Sequence, residues 1–117
     1  MWLCTNYGFF SAVKVNPMYA NGGGDNAPDE TYAVRARERK HLKEAFNNKT
    51  IYAYPYSDYE YRVYLTESEL QKFLLDQVTK IDYTNFKNSV KDTKLHDFFN
   101  GIWYLGVKYL GSRHGSI

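Results

Sequence analysis

Cysteine is almost absent. Cys4 is the single one in 117 residues, so no intrachain disulfide can form, and a reducing, cytoplasmic setting is predicted. Charge of one sign is also missing. Fifteen Lys and Arg against thirteen Asp and Glu leave a net charge of +2, too little to hold nucleic acid by bulk electrostatics. No apolar run approaches the roughly 20 residues of a membrane span. The opening MWLCTNYGFF has neither the basic start nor the long apolar stretch of a secretory signal. The glycines at 22–24 lack the Lys-Ser/Thr that completes a phosphate-binding loop. Cys4, His41, His96 and His114 show no metal-ligand spacing, so neither metal nor cofactor is expected. No pattern of acyl, phosphoryl or hydride transfer nominates a catalytic residue.

What the chain has in excess is tyrosine, 12 residues within an aromatic share of 18%. A ring joined to a hydroxyl suits strands, interfaces and ligand pockets alike, which favours a binding surface without naming its ligand. The elements follow from periodicity. Gly8 predicts a turn or bulge before a strand over Phe9–Val13, which Asn16-Pro17 ends. Residues 20–30, ANGGGDNAPDE, read as a flexible loop. Thr31–Arg37 is a second strand, antiparallel to the first, and a helix starts near Glu38 with Leu42, Ala45 and Phe46 on its apolar side. Tyr52, Tyr54 and Tyr56 share one side of an extended segment, and Pro55 argues against an uninterrupted central strand there.

In YEYRVYL, Tyr61, Val63 and Leu65 share one face while Arg62 and Tyr64 share the other. Thr66 and Glu69 have the spacing of a capping box, followed by Leu70, Phe73, Leu74, Val78 and Ile81 at helical intervals. Residues 82–90 predict a turn and a short helix. Residues 94–109 predict a longer helix with Leu95, Phe98, Phe99, Ile102, Trp103 and Leu105 on a broad apolar face. The order ββαββαα gives an α+β fold: a four-stranded antiparallel sheet with two to three helices packed on one face. One domain is expected over residues 1–111, with residues 112–117 a frayed tail.

The segments MWLCTNYGFFSAV, YAVRAR, DYEYRV and IDYTNFK resemble a group of small bacterial and phage proteins of unassigned activity. The resemblance spans most of the chain apart from the glycine loop, which is longer here than in that group, and the tail. It implies no reaction. It directs attention to Gly8, Phe9, Phe10, Arg35, Arg37, Tyr59, Arg62, Asp82, Tyr83, Asn85, Phe86 and Lys87.

The strongest candidates for function are Arg35, Arg37 and Arg62. Strand alternation puts the first two on one side, and Arg62 joins them if the strands are neighbours. Guanidinium forks suit phosphate or carboxylate, and Phe10, Tyr54 or Tyr64 could stack on a base. The plain alternative is cross-strand pairing with Glu30, Glu38 or Glu60 on a wet face. For IDYTNFK, one reading folds Tyr83 and Phe86 onto the core with Asp82 as a helix cap. The other closes a pocket with Tyr83, Asn85 and Lys87.

The expected function is non-catalytic binding of a small anionic, nucleotide-type ligand. If the gene is phage-borne, such a protein would act as a sponge for a host immune signal. A protein–protein module that inhibits a host defence complex, and a small nucleotide hydrolase or lyase, are the competing expectations. Self-association as a homodimer or higher assembly is expected, because an open sheet face and the aromatic last helix both seek cover. No membrane contact is expected.

Overall fold

The computed structural model describes residues 1–15 and 32–111. The glycine loop, the Asn16-Pro17 strand end and the tail after Gly111 lie outside the described residues. Contacts divide the chain into two compact units, Met1–Ile81 and Asp82–Ile117, where the sequence predicts one domain.

The first unit is built on an antiparallel sheet of β1 (Trp2–Cys4), β2 (Phe9–Lys14), β3 (Tyr32–Ala36), β4 (Tyr52–Ala53) and β5 (Tyr61–Leu65), in the spatial order β1-β2-β3-β5-β4. The α+β class and the antiparallel pairing agree with the sequence, but among the described residues the sheet has five strands rather than four. The extra strand is β1. Its three residues pair with β2 through a tight turn, Trp2 opposite Ser11 and Cys4 opposite Phe9. The turn is made by Thr5 and Gly8. The Thr5 Oγ accepts from the Tyr7 and Gly8 amides at 3.1 and 3.2 Å and donates to the Gly8 carbonyl at 3.1 Å. Gly8 is required there because a Cβ would sit 2.2 Å from His41 Cγ.

Two helices complete this unit, α1 (Arg39–Ala45) and α2 (Glu67–Thr79). The predicted capping box is present. Thr66 accepts from the Glu69 amide at 3.2 Å and the Glu69 carboxylate accepts from the Thr66 amide at 2.9 Å, so two otherwise orphaned donors are satisfied. Both helices cover the same sheet face. Ala12, Val34 and Val63 stand in register across β2, β3 and β5. They pack with Phe10, Ala36, Leu65, Leu42, Phe46 and Phe73 in one core.

Phe10 lies at the centre of this core and is fully buried. Its ring meets Phe46 and Phe73 edge-on, at 6.3 and 5.9 Å between centroids. The apolar stripe predicted on α2 is buried only over its first half. Leu70, Phe73 and Leu74 reach the core, while Val78 and Ile81 are exposed.

The second unit contains α3 (Phe86–Ser89) and α4 (Thr93–Leu110). The cap of α3 is Asn85 and not Asp82. Its side chain accepts from the Asn88 amide at 3.1 Å, because Asn85 occupies the extended position one residue before the helix. Asp92 caps α4 in the same manner, accepting from Leu95 at 2.9 Å. Phe86 packs on Phe99 at 5.1 Å.

Candidate functional site

Because side chains alternate along a strand, the face opposite the core is fixed by the same register. Ser11, Arg35, Arg62 and Tyr52 are successive partners across β2, β3, β5 and β4. Val13, Ala33 and Tyr64 form the next row on that face. Arg35 and Arg62 therefore stand directly opposite each other on neighbouring strands, an arrangement of like charges that is unfavourable by itself.

Two tyrosines and two serines hold the guanidinium groups. Arg35 lies over the Tyr59 ring at 4.8 Å and Arg37 over the same ring at 4.5 Å. Arg62 lies over the Tyr54 ring at 4.5 Å. Arg35 donates through Nη2 to Ser11 Oγ at 2.7 Å, and Arg62 through Nη2 to Ser57 Oγ at 3.1 Å. The Nε atoms of both arginines are buried. The Tyr54 and Tyr64 hydroxyls meet at 3.2 Å, and the Tyr52 ring lies tilted beside Tyr64 at 5.3 Å.

The loop between β4 and β5 supplies Tyr54, Ser57 and Tyr59. Tyr54 donates its amide to the Glu60 carbonyl at 2.7 Å, and the Ser57 amide donates to the Tyr54 carbonyl at 2.9 Å. This turns the chain sharply after Pro55, and the side of Tyr59 that alternation alone would assign no longer applies. Tyr59 is buried while the neighbouring Tyr56 is fully exposed.

Glu38 and Glu60, considered as counter-ions, each contact a near neighbour in sequence. The Glu38 carboxylate lies 3.2 Å from His41 Nε2. A hydrogen bond to the Glu60 carboxylate, and then partial burial, push the Tyr61 hydroxyl above its ordinary pKa. Glu30 lies outside the described residues.

The structure thus brings together Arg35, Arg37, Arg62, Tyr54 and Tyr64 of the residues named from sequence. It corrects one of them. Phe10 belongs to the opposite face and is sealed in the core, so it cannot stack on a ligand held by the arginines. Residues that strand periodicity passed over are Ser11, Tyr52, Ser57 and Tyr59. The Asp-Tyr-x-Tyr-Arg pattern had already marked Tyr59.

Tyr83, Asn85 and Lys87 belong to the second unit, where each has a local role. Tyr83 packs on Phe86 at 5.6 Å, Asn85 caps α3, and Lys87 lies over the Trp103 ring at 5.2 Å.

The remaining chemistry-bearing groups are less promising. Partial burial pushes the Cys4 thiol above its ordinary pKa, which lowers its thiolate content and its reactivity near neutral pH. A shallow pocket of about 180 Å³ lies beside the Lys49–Glu69 ion pair, lined also by Phe46, Leu65, Lys72 and Phe73. Among the described residues no three His, Cys, Asp or Glu side chains are grouped as a metal site. No helix among them is long and apolar enough to cross a membrane.

These features define an α+β chain whose five-stranded sheet carries an arginine–tyrosine cluster on the face opposite α1 and α2. No family model, curated protein or solved structure matches the chain.

Proposed function

We propose that the arginine face binds a small anion bearing phosphate or carboxylate and a planar group, with a nucleotide as the best-fitting class. One observation carries this reading: Arg35 and Arg62 are direct cross-strand partners, each with its guanidinium carbon over a tyrosine ring, at 4.8 and 4.5 Å. An anion placed between the two guanidiniums offsets their mutual repulsion and accepts charge-assisted hydrogen bonds from both. Tyr52, 43% exposed and opposite Arg62, offers a ring for the planar part. Arginine stays protonated at any working pH and cannot serve as acid or base, so the cluster is suited to holding a ligand rather than turning it over.

Calorimetric titration with inorganic phosphate, nucleoside mono- and triphosphates and cyclic nucleotides tests the reading. At least one nucleotide should bind more tightly than phosphate alone. Arg35→Ala and Arg62→Ala should each weaken it by tenfold or more with the circular dichroism spectrum unchanged. The ligand should be recovered chemically intact. Failure of every compound to bind, or equal binding by both variants, overturns the proposal.

A further inference from the structure

Arg37 is the part of the arginine face that anion binding between Arg35 and Arg62 leaves without a role. Strand β3 ends at Ala36, and Arg37 lies one residue beyond it. A contact, not the strand ladder, places it on this face. Its guanidinium lies over the Tyr59 ring at 4.5 Å, and Arg35 lies over the same ring at 4.8 Å. Tyr59 is only 6% exposed, so its ring is a fixed platform for both.

The three guanidiniums form a corner. Arg35 shares a cross-strand row with Arg62 and a ring with Arg37. Two residues of extended chain advance about 7 Å, so Arg37 flanks the Arg35–Arg62 pair instead of standing within it.

The three are engaged differently. Arg35 donates to Ser11 Oγ and Arg62 to Ser57 Oγ, and both residues are half-buried. Arg37 is exposed, and among the described residues no hydrogen bond or ion pair holds it. The donors of its fork point to a ligand or to water.

Charge decides what such a corner holds best. A phosphate monoester carries about −1.5 to −2 at neutral pH, which matches Arg35 and Arg62. Arg37 is then a third positive charge beside the bound group. A second phosphate linked to the first supplies both the missing charge and the acceptor oxygens that suit a guanidinium fork.

Building on the anion reading of this face, we infer that it selects ligands bearing a diphosphate group, and that Arg37 makes the selection. Arg35 and Arg62 hold the first phosphate. Arg37 takes the second at the exposed end of the cluster.

Calorimetric titration of the full chain with adenosine mono- and diphosphate, in metal-free buffer at one ionic strength, tests this. The diphosphate should bind about tenfold or more tightly, the size expected of one charge-assisted contact. That advantage should disappear in Arg37→Gln with the circular dichroism spectrum unchanged. Pyrophosphate against inorganic phosphate should show the same preference and the same loss, which separates it from any contact to the base. Equal affinity for one and two phosphates, or an advantage that survives Arg37→Gln, overturns selection by Arg37 and leaves the Arg35–Arg62 site standing. Binding of none of the four compounds overturns both.

Discussion

The two faces of the sheet are made from the same strands and obey opposite rules. On one face Ala12, Val34 and Val63 sit under α1 and α2 with Phe10 at the centre, and the packing is apolar except for buried His41 beside Phe10. On the other, one residue away in each strand, Ser11, Arg35 and Arg62 form a row in which charge is stacked on rings. The first face explains why the unit folds. The second sets Arg35 opposite Arg62, a cross-strand pairing of like charges that is unfavourable unless other groups offset it. A sheet that needed only a solvated face would not require two guanidiniums in register, and that contrast points to the second face for function.

The sharpest test of the contrast substitutes one residue from each face. Phe10→Ala should destabilise the chain by about 3–5 kcal/mol, the usual result of removing a phenyl ring from a packed core. Urea unfolding followed by circular dichroism would measure it. Gly8→Ala should follow, at about 2 kcal/mol or more, because its methyl would enter His41 and a tight core charges roughly that for overpacking. Were either variant as stable as the parent, the core face would not be the source of stability.

Arg35→Met should behave in the reverse manner. It loses the Ser11 hydrogen bond and the stack on Tyr59, together about 1–2 kcal/mol, but it relieves the repulsion by Arg62. Its net effect on unfolding should stay within about 1 kcal/mol, while affinity for the nucleotide of the titration panel falls tenfold or more. Tyr59→Ala removes the ring beneath both Arg35 and Arg37 and should weaken that binding too. Tyr59→Phe keeps the ring and should retain affinity. If Arg35→Met destabilised the protein as much as Phe10→Ala, the arginine face would be structural and the division between the faces would collapse.

The faces also differed in how far they could be read from sequence. Alternation alone separates Val34 and Ala36 from Arg35 and Arg37, because a period of two leaves no other choice in an extended chain. The capping box at Thr66 was equally legible, since its two hydrogen bonds are local. The side Phe10 takes is not legible, because the segment around it, GFFSA, has bulky residues on both sides and its pattern does not say which phenylalanine faces the helices. Register against Val34 decides that, and register is a tertiary property.

The resemblance marks Tyr59, but the sequence does not show where its ring goes. It lies in a turn, where periodicity has no meaning, and only the bonds around Tyr54, Ser57 and Glu60 bring its ring under the arginines. The short strand β1 was missed because three residues carry too little alternation to be recognised. On α4 the apolar face was legible, but its exposure was not, because exposure depends on what else packs against the helix.

The smallest expected effect concerns pH, and it too separates the faces. On the helical side, Lys49 and then the Thr66 amide hold the Glu69 carboxyl below the usual carboxylate range. A group whose folded pKa is depressed contributes stability above its unfolded pKa and loses it as pH falls through the folded value. Both partners are partly exposed, Lys49 at 29% and Glu69 at 40%, so solvent screening limits this contribution to about 0.5 kcal/mol.

Glu69→Gln should therefore lower Tm slightly at neutral pH, and the gap from the parent should shrink as pH drops below 4.3, the ordinary glutamate value. Arg35→Met should show no such change in its own gap across this window, because an arginine does not titrate there. A Glu69→Gln deficit that stayed constant from neutral to acid would mean that the carboxylate acts through its shape and hydrogen bonds at the cap. An Arg35→Met gap that varied with pH would mean that a titrating carboxylate partners the arginine face, and the anion site would then already be occupied by the protein itself.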